Sequence, residues 1–143
     1  MAIAPDGRLP RHAKALLAAE ILSVYLRVRW LMSRQDIRSI VSRIRVRPAD
    51  RPALTGSGSP ESRLVAIRLG SAVRRTLNML PTDSRCLVQA LVLSRLLSVR
   101  AISSTLVIGA RTQPQFVAHA WVEYDGQPVL STQGFDELRL VEI

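Results

Sequence analysis

One cysteine and one of the two histidines are the residues of this chain whose types and spacing predict chemistry. Cys86 stands near the start of a predicted helix, where the helix dipole and the neighbouring Arg85 both favour a reactive thiolate. His119 lies on an otherwise apolar predicted strand, so its ring there needs a polar partner. A thiolate nucleophile with an imidazole base predicts covalent catalysis, and a packed cysteine with a hydrogen-bonded histidine is the structural alternative.

The composition excludes several other classes of protein. A chain of 143 residues with 48% hydrophobic residues is long enough for one domain with a core. One cysteine excludes an internal disulfide or a Cys-based zinc site, and two histidines leave no His-rich site, so we expect no metal and no cofactor. Charged residues interrupt the most apolar early stretch, 13–32, which argues against a membrane span and a secretory signal. A free thiol without an export signal predicts a cytoplasmic protein.

The net charge of +9 is concentrated near the N-terminus. Residues 1–51 hold 11 basic and 4 acidic side chains. All the basic residues of the chain except Lys14 are arginines, which bind carboxylates in a bidentate manner and suit an acidic peptide partner. A solvated helix face is the alternative. Nucleic acid is not an expected partner, because aromatic residues are only 4% and no nucleic-acid-binding motif is present.

Hydrophobic periodicity predicts four helices in the first two thirds of the chain. A basic helical region, 1–46, contains one helix from His12 to Met32 and a second after a capping pattern at Ser33 and Asp36. Residues 47–60 are rich in Pro, Gly and Ser and predict a linker or loop. A third helix spans about 60–79, and a fourth holds Cys86. The third should turn four apolar residues inward: Leu64, Ile67, Val73 and Leu77.

The last third of the chain predicts strands at 104–109, 115–124, 127–132 and 138–143. Asp125-Gly126 is a two-residue hairpin turn, so Tyr124 should pair with Gln127. Helices followed by a meander of strands give an α+β fold, with residues 61–143 as the catalytic core of one compact domain.

Two segments resemble a known family. They are Arg-Cys-Leu at 85–87 and Ala-His-Ala-Trp-Val-Glu at 118–123, with apolar residues between them at matching positions. Over residues 81–131 the chain resembles the lasso-peptide leader peptidase, the transglutaminase-like half of the lasso-peptide maturation B protein. The resemblance implies a transglutaminase-like or papain-like cysteine peptidase core.

The resemblance also implies an activity and partners. Family members remove the leader from a ribosomally made precursor peptide, and a separate cyclase then closes the ring. Cys86 carries over as nucleophile and His119 as general base. Because the chain begins directly with helices, it resembles the split form, in which a separate protein recognises the leader. The Cys86 backbone N–H is a candidate oxyanion donor, and Trp121 and Glu123 belong to the motif as candidate substrate-site residues.

The third catalytic residue departs from the family pattern. The family places an Asp about a dozen residues after the histidine, where this chain has Ser131. The hairpin register sets His119 opposite Thr132, so Ser131, Thr132 or Gln133 are candidates by position and Asp136 by charge. The missing Asp leaves open an inactive peptide-binding member of the same fold. A transglutaminase-like acyltransferase is a further alternative, because hydrolysis and acyl transfer share a thioester intermediate.

Overall fold

The structure is a computed structural model, and it describes residues 10–44, 59–81, 86–111, 114–129 and 139–142. It confirms an α+β fold in which helices precede strands. The elements follow in chain order: α1 Arg11–Met32, α2 Ile37–Ile44, α3 Pro60–Asn78, α4 Cys86–Val99, β1 Thr105–Arg111, β2 Val117–Tyr124, β3 Gln127–Pro128 and β4 Arg139–Glu142. The predicted linker falls outside these residues, except Ser59 and Pro60.

The boundary between the first two helices differs from the predicted capping pattern. Ser33 is the C-cap of α1, where its hydroxyl donates to the Trp30 carbonyl at 2.7 Å. The first backbone bond of α2 runs from the Ile40 N–H to the Asp36 carbonyl at 3.1 Å. The second helix therefore starts after Asp36, and Ser33 ends the helix before it.

Helix α3 begins as predicted but turns a different face inward. The Ser59 hydroxyl accepts a hydrogen bond from the Ser62 N–H at 3.2 Å, and Pro60 occupies the first turn. Val73 and Leu77 are fully buried, as expected. Leu64 and Ile67 are 55% and 41% exposed, so the inward prediction is wrong for them. The inner face in those turns is formed by Leu69 and by three smaller residues, Ser62, Ala66 and Gly70.

Helix α4 is the centre of the molecule, because every other layer packs on it. It contacts α1, α2, α3 and both long strands. Its sequence is largely apolar, with half-buried Gln89 and Arg95 as its longer polar side chains, which is typical of a helix covered on most sides. Leu91, Leu93, Leu96 and Leu97 are each at most 1% exposed. One cluster joins this helix to buried residues of the basic N-terminal region and of the sheet, so both predicted regions share a core.

The four strands form an antiparallel sheet in the order β3-β2-β1-β4. The predicted turn and its pairing of Tyr124 with Gln127 are confirmed, and both turn residues, Asp125 and Gly126, have positive φ (52° and 72°). The predicted pairing of His119 with Thr132 lies outside the described residues. β4 pairs with β1 at the opposite edge from β3. The sheet is therefore not the simple meander that the sequence predicts, because the last strand crosses to the far edge.

Candidate active site

Cys86 lies where the sequence predicts it, at the first residue of α4. Its thiol is free and half-buried, and the side chain packs against the main core. The first residues of a helix have backbone N–H groups without intrahelical acceptors, and they carry the positive end of the dipole. An anionic sulfur, or an oxyanion formed beside it, is therefore favoured at this position.

Helix α4 packs directly on β2, the strand that carries His119. The strand presents Ala120, Val122 and Tyr124 to the helical core. Side chains alternate along a strand, so His119, Trp121 and Glu123 share the other face. Trp121 packs there with Val107 of β1, in a cluster separate from the main core. The fold thus packs the cysteine-bearing helix on the histidine-bearing strand, while His119 itself lies on the face of β2 opposite to the one that meets the helical core.

The His119 ring is supported by Trp121. The two ring centroids are 6.0 Å apart, and their planes differ by 22°. Across the ladder, His119 pairs with Gly109 of β1, a residue without a side chain. The glycine therefore adds no bulk beside the imidazole. The sequence placed Gly109 at the end of a predicted strand but did not show that it pairs with His119.

Trp121 is itself fixed by Glu123. The indole N–H donates to Glu123 Oε1 at 2.9 Å, and the two residues are 1% and 4% exposed. So little of either side chain is accessible that a substrate has almost nothing to touch. Glu123 therefore holds Trp121 in place, and Trp121 lies beside the His119 ring.

The described residues do not include every predicted member of the site. Ser131 and Asp136, the candidates for the third catalytic residue, lie outside them, as do Thr132 and Gln133. The structure therefore shows Trp121 and Glu123 beside His119, and it shows α4 packed on β2, the two elements that carry Cys86 and His119.

We expect Glu123→Leu to lower the free energy of unfolding by about 1–3 kcal/mol, because it leaves the buried indole N–H without its acceptor. Glu123→Gln retains an oxygen for that bond and should cost less. Urea unfolding followed by tryptophan fluorescence measures the difference. Equal losses for the two variants would show that the bond to Trp121 does not stabilise the fold.

Comparison with known proteins identifies the class to which this fold and cysteine-bearing helix belong. The model of the transglutaminase-like superfamily matches residues 22–140, so the chain belongs to that superfamily. Within it, the chain is 36% identical over 80 residues to the microcin J25-processing protein McjB of Escherichia coli. That alignment covers 51% of this chain and 38% of the relative, so the chain matches well under half of the relative's length. The two findings confirm the resemblance predicted from the residues around Cys86 and His119.

No solved structure matches the chain. Among the described residues, no helix is long and apolar enough to span a membrane. The same residues contain no group of three or more His, Cys, Asp or Glu side chains placed to hold a metal ion.

Proposed function

We propose that this protein is a cysteine peptidase that removes the leader from a ribosomally synthesised lasso-peptide precursor. The observation that carries the proposal is the position of Cys86 at the first residue of α4, on the helix that packs against the strand of His119. Membership of the transglutaminase-like superfamily supports thiol chemistry. The likeness to a microcin-processing protein supports a peptide as substrate.

In the proposed reaction, the Cys86 sulfur attacks the carbonyl carbon of the scissile peptide bond. His119 takes the thiol proton and then gives it to the leaving amine, so that the leader remains as a thioester on Cys86. The backbone N–H of Cys86 is the candidate donor to the oxyanion. A water molecule, deprotonated by His119, then attacks the thioester. The leader leaves with a carboxylate, and Cys86 regains its proton.

The proposed partners follow from the resemblance to the lasso-peptide maturation family. A leader-recognition protein presents the precursor, and a cyclase closes the ring on the released core peptide. We place these steps in the cytoplasm, where a free thiol such as that of Cys86 stays reduced.

Mass spectrometry of a precursor peptide incubated with this protein and a leader-recognition protein tests the proposal. We expect two products whose masses add up to the precursor plus one water, and faster cleavage with the recognition protein than without it. In heavy-oxygen water, the leader product should gain one heavy oxygen atom. An intact precursor under all conditions would contradict the peptidase and favour an inactive peptide-binding member of the fold.

Acyl transfer is the other fate of the same thioester, and the superfamily match favours it as the second candidate. An amine added to the assay would then become joined to the leader. A leader product that carries the amine and no heavy oxygen would identify an acyltransferase. A leader product that ends in a free carboxylate, whether or not the amine is present in the assay, identifies a hydrolase.

A further inference from the structure

Away from the candidate active site, α1, α2 and α4 enclose a cleft of about 270 Å³. Three arginines from three different helices reach it: Arg27 of α1, Arg43 of α2 and Arg95 of α4. Arg27 and Arg43 are exposed, and Arg95 is half-buried. The sequence indicated a basic N-terminal region but did not show that these side chains converge.

The charge around the cleft is strongly one-sided. The sequences of α1, α2 and α4 contain one carboxylate, Glu20, and it pairs with Arg100 at 2.8 Å. Among the residues that the structure describes, no acidic side chain lines the cleft. Burial, and then the charge of Arg27, lower the pKa of Arg95. Because an arginine side chain stays protonated in proteins, the cleft has a positive potential that favours an anion.

The rest of the lining is mainly apolar. Val28 and Leu31 are 1% and 5% exposed and lie at the base of the cleft, and Val24 and Val99 are half-buried. A nucleic-acid phosphate backbone makes no use of apolar walls, whereas a peptide offers carboxylates and apolar side chains together. The lining therefore matches a polypeptide better than a nucleic acid.

We propose that this cleft binds an acidic segment of a partner polypeptide, with its carboxylates on Arg27, Arg43 and Arg95 and an apolar side chain against the half-buried Val24 and Val99. Arginine suits this role because its planar guanidinium group binds a carboxylate through two parallel hydrogen bonds. Contributions from three helices set the spacing of the arginines, so binding depends on the folded chain.

The proposed docking site is separate from the candidate active site. Arg95 lies nine residues after Cys86 on α4, which is about 13 Å along the helix axis. A side chain of the bound segment that contacts Arg95 therefore does not also reach the Cys86 thiol. The proposal does not depend on whether Cys86 is a nucleophile, and docking can be measured in a chain that lacks the thiol.

Fluorescence anisotropy tests the proposal with two synthetic peptides and the full chain carrying Cys86→Ala. One peptide holds Glu and Leu residues in a Gly-Ser background, and the other has Gln in place of each Glu. We expect the Glu peptide to bind at least about tenfold more tightly, and added salt to reduce that preference. The double variant Arg27→Ala/Arg43→Ala should lose the preference.

Arg38→Ala is the matched control, because Arg38 is an exposed arginine on the same helix as Arg43 but does not line the cleft. It should keep the preference for the Glu peptide. Circular dichroism verifies that each variant is folded. If the double variant unfolds, the single variant Arg43→Gln replaces it in the binding measurement. Equal binding of the two peptides, or an equal loss in Arg38→Ala, would overturn the proposal. So would tighter binding of a DNA duplex through the same arginines, which would assign the cleft to nucleic acid.

Discussion

Replacing Cys86 with alanine is expected to slow leader cleavage by about 10⁴-fold or more, because no thioester can form without the sulfur. The protein should still fold. The side chain is only half-buried, and alanine suits the first turn of a helix whose other residues supply the core. The measurement is the initial rate of leader release by mass spectrometry, with thermal unfolding as the check on stability.

Gln89→Ala is a control for perturbation of the same helix end. Gln89 lies one turn after Cys86, where its side-chain amide donates to Asn78 Oδ1 at 3.2 Å. Its loss should disturb the junction of α3 and α4 slightly and leave cleavage within a few-fold of the unaltered protein. Cleavage at the unaltered rate by a folded Cys86→Ala variant would exclude Cys86 as the nucleophile. A comparable loss in Gln89→Ala would assign the effect to the helix end.

The sequence predicts those parts of the fold that local chemistry determines. The Ser59 cap with Pro60 marks the start of α3, and the Asp125-Gly126 turn determines the register of the hairpin. The placement of Cys86 at a helix start is similarly local, because Pro81 ends the preceding helix and an apolar run follows. These signals extend over a few residues and do not depend on distant parts of the chain.

The sequence could not predict which face of a helix would meet a neighbour. For α3 the large residues Leu64 and Ile67 suggested the inner face, but the fold packs Ala66 and Gly70 there instead. Small residues allow α3 to pack closely on its neighbours, α1 and α4. Which face of α3 is buried depends on the helices that pack on it as well as on α3 itself, so the hydrophobic pattern of α3 alone does not reveal it.

The candidate site also has a part that the sequence predicts and a part that it does not. The types of Cys86 and His119 and their order along the chain indicated thiol chemistry. The bond between Trp121 and Glu123 did not follow from the sequence, because two residues on the same face of a strand can face solvent or the interior. Only the fold shows both to be buried, so that a substrate has almost nothing of either side chain to touch.

Loss of the residue that orients His119 is expected to slow cleavage by about 10- to 10⁴-fold, because an imidazole without a fixed partner presents the wrong tautomer to the thiol. Asp136→Asn has this effect if the carboxylate is the partner, since a charged acceptor also stabilises the imidazolium. Ser131→Ala slows cleavage if Ser131, at the position where the family carries an Asp, is the partner. That loss of rate should be smaller than for a carboxylate, because a hydroxyl carries no charge. Leader release by each folded variant, measured as for Cys86→Ala, identifies the partner.

The reciprocal substitution Ser131→Asp makes the test sharper, because it restores the acidic residue that the family carries there. If Ser131 occupies the orienting position, this variant should cleave faster than the unaltered protein, and Asp136→Asn should be harmless both alone and in the double variant. If Asp136 is the partner, a second carboxylate near the first should bring no gain. Unaltered rates in Asp136→Asn, Ser131→Ala and Ser131→Asp would contradict both assignments and leave Thr132 and Gln133, the other candidates by position, as the side chains to replace next.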